Sequence, residues 1–462
     1  MQDVLDYIEQ HRDEYIALVQ RACQQPSIST QNVGIREMAE LCREMLADVG
    51  ADASIVPVDG GFPVVLGQID GPSRRTLNIY NPYDVQPPEP LDLWESDPFA
   101  ADVRDGRIWA RGVADNKGHL VARICAVDAW RNMRGNLPLT LRFIYEGEEE
   151  IGSPNLERFV AEHQSEITPA DGCIWEGGGR DFNGRVRLSC GLKGICYVEL
   201  AVESVNTDMH SSRATIVPNA AWRLVWALNT MKDEQERVLI KGFYDRVLPP
   251  TVEEHNILEE TPFDEADFLR TFGLERFLLD LAGQRLKLKD MFEPTCTICG
   301  VESGYTGDGL KTVLPKAARA KIDMRLVPDQ DPHEIARLLR AHLDAHGFSD
   351  ISVALLAAEH PARTDLSAPL VTAVANAVRR VHGHEPVIVP ITPGSGPMYV
   401  LCQAIGVPSV SGPGGGNPNS RIHAPNENMY VDDYINAIKG MAVVFDEFAR
   451  IRRHAGRERR QG

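Results

Sequence analysis

The stretch Leu139 to Ser153, L-T-L-R-F-I-Y-E-G-E-E-E-I-G-S, sets four carboxylates, Glu146, Glu148, Glu149 and Glu150, directly behind an apolar run. The run Leu139 to Tyr145 alternates and is rich in β-branched and aromatic residues, which predicts a strand. The acids then stand at a strand's C-terminal end. In open α/β sheets that edge is where ligands bind. Adjacent carboxylates there suit a cation plus a general base, because one can hold a metal while its neighbour takes a proton from water. The plainer alternative is a solvated acidic loop, the usual meaning of a charge run. The rest of the chain decides between the two.

Upstream, a helix is expected from Asp3 to about Cys23 and another from Arg36 to Val49, ended by Gly50. Strands follow at Pro63 to Ile69 and Leu77 to Tyr80, then a helix over Leu120 to Trp130 with Asp115 at its head. Asp115 there is either a helix cap or a ligand. Downstream, Asp171 to Trp175 predicts a strand ending at Glu176. Asp84, Asp115, the Glu146 to Glu150 cluster and Glu176 would thus all follow strands and meet at one sheet edge.

From Gly191 the pattern changes. Strands at Gly194 to Val205, Thr297 to Val301 and Ala318 to Leu326, with helices at Pro218 to Met231 and Pro332 to His346, give the split βαβ order of a small ferredoxin-like sheet. Asp331 caps the second of these helices and Gly347 stops it. The insertion Asp233 to Pro294 carries no readable motif. Strands at Val387 to Val389 and Ser409 to Val410, a short helix through Leu401, a Gly-rich loop and a helix over Asp432 to Arg452 restore α/β character. The basic tail R-R-H-A-G-R-E-R-R-Q-G is expected to fray.

A chain of 462 residues is expected to form two or three domains. Its 43% hydrophobic and 25% charged content is ordinary for a globular protein, and a formal charge of −18 argues against nucleic-acid or anionic-membrane binding. No apolar run reaches membrane-spanning length, and Met1 to Gln10 has no signal-peptide core. Nine scattered cysteines fit reduced thiols in a cytoplasm. Cys296 and Cys299 form a lone C-x-x-C inside an apparent strand and are expected to be core cysteines.

Asp115, Glu149, Glu150, Glu176 and His423 are oxygen and imidazole groups able to hold divalent ions, and the lack of cysteine favours a hydrolytic site over structural zinc. The motifs Y-D-V-Q-P at Tyr83, W-x-S-x-P-F at Trp94, R-G-x-A-D-N-K-G at Arg111, E-G-E-E-E-I-G-S at Glu146, H-S-S at His210, Y-T-G-D-G-L-K-T-V-L-P at Tyr305, R-L-V-P at Arg325 and H-A-P-N-E at His423 cover nearly the whole chain. In them the chain resembles the M20 metallopeptidases, especially the cytosolic dipeptidase and carnosinase branch. The resemblance implies an α/β fold with a central mixed sheet flanked by helices, a zinc-peptidase-like catalytic domain formed by residues 1–190 and 394–462. A ferredoxin-like α+β lid or dimerisation domain would fill 191–393.

By the same resemblance, Asp115 would bridge two metals, Zn or Mn, with Glu150 and His423 completing one and Glu176 serving the other. Glu149 would be the general base. His210 would reach the oxyanion of a partner subunit's substrate in a homodimer, and Thr312, Arg325 and Ser395 would bind a substrate carboxylate. Alone, His210 reads as a solvated loop histidine and Arg325 as a strand residue in a surface ion pair. Asp84 would orient the bridging carboxylate and a ligand histidine from behind.

That histidine is missing. The family's first ligand loop reads histidine, any residue, aspartate; this chain has Pro82-Tyr83-Asp84. Asn81 or Asp84 could supply the lost oxygen, or one ion at Asp115, Glu150 and His423 could suffice, or hydrolysis could be lost or redirected. His119, one helical turn past Asp115, is expected to face away. The expected function is cytoplasmic hydrolysis of a peptide or amide bond in a small substrate bearing a free carboxylate, a dipeptide or N-acyl amino acid. The alternatives are a member that binds ligand without hydrolysis, or an amidohydrolase for an unusual non-peptide amide.

Overall fold

The computed structural model describes residues 1–261 and 263–451; the basic tail expected to fray lies outside them. Contacts divide the chain into two compact units, one of Met1–Cys190, Thr364–Val389 and the chain from Val400, the other of Gly191–Arg363 and Pro390–Tyr399.

The first unit is built on a six-stranded mixed sheet in the spatial order Asp52–Val56, Val64–Ile69, Thr140–Glu146, Thr76–Pro82, Gly172–Trp175, Ser409–Ser411. Each of the first three strands runs antiparallel to its neighbour among them; the last four run parallel. The strand Asp52–Val56 was not expected, since its D-A-S-I-V carries little apolar signal and its side chains stay largely open to solvent. The acidic stretch does follow a strand, because Tyr145 and Ile144 are buried on a sheet covered by helices.

Helix Gly118–Arg134 is buried along most of its length and packs on helices Gln2–Gln10, Arg12–Gln24 and Val431–Arg450. The single N-terminal helix expected from the apolar spacing is in fact two, broken at His11. Helix Pro369–His382 buries Leu370, Val374 and Val378 and packs on helix Val431–Arg450, where Asn376 Nδ2 donates to Glu447 Oε2 at 3.0 Å. The segment 364–389 therefore belongs to the first unit, not to the 191–393 insert. Conversely Pro390–Tyr399, which includes Ser395, belongs to the second.

In the second unit four antiparallel strands lie in the order Thr297–Ser303, Ala317–Leu326, Gly194–Glu203, Ser352–Glu359. This is the split βαβ topology. Gly194–Glu203 buries every second side chain, and Val198, Leu200, Ile322 and Met324 meet Leu224 and Leu339 from helices Ala220–Leu228 and Pro332–Ala345 in one core. Asp331 caps the latter helix through the amides of His333 and Glu334. The former is capped by Asn219 and begins after Pro218, which stands outside the first turn. Cys296, just before the strand, is buried, but Cys299 is exposed, because nearly every residue of strand Thr297–Ser303 is open to solvent. Helix Val252–Glu260 in the insertion starts with a reciprocal cap between Thr251 and Glu254.

Candidate metal centre

Register fixes where the acids emerge. Pro82 lies opposite Glu146, and Ile79 opposite Ile174, so the turns carrying Asp84, Glu149 and Glu150, and Glu176 leave the same edge of the parallel strands. Asp115 arrives differently. Its preceding strand, Arg107–Trp109, pairs with Asn428–Tyr430 in a separate small sheet. Asp115 also makes no helix cap: it sits with extended φ/ψ in the turn before helix Gly118–Arg134.

Three of the expected ligands converge. His423 Nε2 is 3.0 Å from Asp115 Oδ2 and 3.3 Å from Glu150 Oε2, and all three ligand atoms lie within 4.8 Å of one another. Gln86 Nε2 donates to Glu150 Oε2 at 2.9 Å and fixes that carboxylate. Hydrogen bonds to Asp115 and Glu150 push the His423 imidazole up to about 10. Burial, and then the neighbouring anions of Glu176, Asp115 and Glu150, hold the Glu149 carboxyl well above its usual range; burial, with Asp115, Glu146 and Glu150, does the same for Glu176. Carboxylates crowded this way, out of water, call for protons or a cation between them. The donor set of two carboxylates and one imidazole fits one divalent ion.

Two buried carboxylates hold the turns that carry these ligands. Asp84, expected to orient the bridging aspartate from behind, accepts the amides of Glu149 (3.2 Å) and Glu150 (3.1 Å), one on each oxygen. Burial raises its carboxyl to about 7. Glu427 does the same for the Asp115 turn. Its Oε1 accepts the amides of Ala114 (2.9 Å) and Asp115 (3.0 Å), and its Oε2 accepts the Gly112 amide (2.9 Å) and Arg111 Nη1 (2.7 Å). Glu427 was given no role in the sequence, although its place four residues after His423 in H-A-P-N-E was the available signal. Glu146 and Glu148 are buried structural acids: Glu146 accepts from the Tyr80 hydroxyl and from Ser153 Oγ at 2.9 Å, and Glu148 from the Phe62 amide at 3.0 Å. His119 lies outside the ligand trio, its Nε2 3.0 Å from Gly178 O and 3.1 Å from Gly415 N.

The other expected site residues lie in the second unit. Ser212 N–H donates to His210 Nδ1 at 3.1 Å, which puts the ring proton on Nε2, 3.4 Å from Thr312 Oγ1. Arg325 Nη1 donates to Ser395 Oγ at 2.8 Å, and its Nε to Asp323 Oδ1 at 3.2 Å. Arg325 and Ser395 are thus brought together, while Thr312 stands beside His210.

Residues 79–447 match the model of peptidase family M20/M25/M40. The chain belongs to this family of metal-dependent peptidases, and within it stands with the dipeptidase-like branch. It is 28% identical to a Beta-Ala-His dipeptidase of Rattus norvegicus over 99% of this chain and 97% of that protein. It is 30% identical to a Cys-Gly metallodipeptidase of Schizosaccharomyces pombe over 73% of this chain and 74% of that protein. Among solved structures it resembles an M20 family metallo-carboxypeptidase from Sulfolobus solfataricus, with a TM-score of 0.89 and 37% identity over 94% of this chain and 99% of that one.

Proposed function

We propose that this chain hydrolyses the peptide bond of a dipeptide, or the amide of an N-acyl amino acid, whose free carboxylate it recognises. The observation that carries the reading is Glu149, a carboxylate next in sequence to the ligand Glu150 and absent from the trio that Asp115, Glu150 and His423 form. A base must not be wholly committed to the ion. A divalent ion, Zn or Mn, held by the trio would supply the positive charge that acidifies water and polarises the scissile carbonyl.

The remaining work falls to the chain's own groups. Glu149 takes the proton from water and passes it to the leaving amine, and burial, with crowding by Glu176 and Asp115, gives it the proton affinity this needs. His210 Nε2–H donates to the developing oxyanion of a partner subunit's substrate in a homodimer. Arg325, steadied by Ser395, grips the substrate carboxylate with two parallel N–H groups, and Thr312 adds a hydroxyl. The named relatives support work on small peptides, and the scattered cysteines and acidic charge support the cytoplasm, with neither nucleic acid nor membrane as partner. Among the described residues no helix is long and apolar enough to cross a membrane.

The test is a panel of dipeptides, their C-terminal amides and N-acyl amino acids, incubated with protein supplemented with Mn or Zn. Turnover of substrates with a free carboxylate and not of the amides is expected. A protein that binds the ion and a dipeptide yet cleaves nothing would establish the second reading, ligand binding without hydrolysis, which Pro82 motivates.

A further inference from the structure

Pro82 removes a ligand from the second metal position, and the structure decides whether anything replaces it. We infer that this chain holds one catalytic ion and that the second ion's place has been taken over by a fixed amide network running from Arg123 through Asn81 and Asn116 to Glu176. The inference rests on reading Asp115, Glu150 and His423 as a metal centre.

The two oxygen donors nearest the lost ligand in sequence, Asn81 and Asp84, are already engaged. Asn81 is fully buried; its Oδ1 accepts from the Arg123 guanidinium, and its Nδ2 donates to Asn116 Oδ1 at 2.8 Å. Turning its oxygen toward an ion would leave the guanidinium facing an NH2 group. Asp84 is equally buried and has spent one oxygen on each of the Glu149 and Glu150 amides. Swinging it out would leave two amides of the turn that carries the first ion's ligand without their acceptors. His119 is buried and stands outside the trio, its Nε2 between Gly178 O and Gly415 N and its Nδ1 without a hydrogen bond. Of the ligands expected for the second ion, Asp115 and Glu176 remain, short of the three protein ligands that catalytic zinc sites use.

Glu176 already has a partner in this network. Its Oε2 accepts from Asn116 Nδ2 at 3.2 Å. Arg123 is fully buried and donates to Tyr80 O at 2.6 Å and Trp175 O at 2.7 Å. A guanidinium held by backbone carbonyls from two adjacent strand ends is a permanent positive charge beside the position a second ion would occupy. The network is closed: every polar end of Asn81 and Asn116 named above meets a protein partner.

The experiment counts ions. Wild-type protein stripped with chelator, reloaded with Zn or Mn and desalted should carry one ion per chain by elemental analysis, with a single binding step in calorimetry. The Pro82→His variant, checked for folding by circular dichroism, should carry two, the second bound more weakly because the amide network still competes. Two ions in the wild type overturn the inference, and so does a folded Pro82→His variant that stays at one. The wild-type count stands even where the variant does not fold. Two ions together with dipeptide hydrolysis would sink this inference and leave the proposed function intact; one ion without hydrolysis would do the reverse.

Discussion

Glu427 holds Asp115 by its backbone: one carboxylate oxygen accepts the Ala114 and Asp115 amides at 2.9 and 3.0 Å, while the other binds Gly112 and Arg111. Four donors on one buried acid fix the turn and hence the direction of the Asp115 side chain. Partners behind a metal ligand tune affinity almost as strongly as the ligand itself. Glu427→Gln, which turns an NH2 group onto one of these donors, should weaken metal binding about 10–100-fold. Calorimetric titration of the chelated variant reads this, and an unchanged affinity would remove Glu427 from the account.

Ion binding should release protons. In the ion-free protein His423 is raised to about 10 by its bonds to Asp115 and Glu150, so near neutral pH the ring carries a proton that an ion must displace. The sign follows: affinity rises as pH rises toward that value, and falls in acid. Titrations in two buffers of different ionisation enthalpy should give heats that differ by about one proton per ion. Heats independent of the buffer would contradict the ligand role of His423.

In its proposed role Arg325 acts on binding more than on chemistry. Arg325→Lys keeps the charge but loses the fork and its bond to Ser395. It should raise KM for dipeptides about tenfold or more with a much smaller change in kcat, the pattern of lost uniform binding. A fall in kcat at constant KM would move Arg325 to another role.

His210 should show the opposite pattern. Its Nε2–H is aimed by the Ser212 amide on Nδ1. His210→Ala should lower kcat about 100-fold or more, with little effect on KM. Mixing this variant with an otherwise intact, Glu149-inactivated one should restore activity if the histidine serves the partner's site, and should restore none if it serves its own.

Much of this was legible in the sequence because the signals were local. The strand Thr140–Glu146 and the turn of Glu149 and Glu150 follow from one alternating run and its acids, and the ferredoxin-like order from alternating strands and capped helices. What stayed hidden depends on tertiary partners. Nothing local says that Asp84 would take the amides of Glu149 and Glu150, or that Glu427 would reach back more than three hundred residues to Asp115. Helix Pro369–His382 joins the first unit because its apolar face finds helix Val431–Arg450 there, a preference its own periodicity cannot express. Arg123 reads as one polar residue in an apolar helix; its place in the network depends on two strand ends brought together by the sheet.

The central claim is that Glu149 moves the proton while its neighbour Glu150 holds the ion. Glu149→Ala, loaded with Zn or Mn and assayed on the best dipeptide of the panel, tests it most directly. The account predicts loss of turnover with the ion count and the fold unchanged. Retained turnover at the wild-type rate would contradict it.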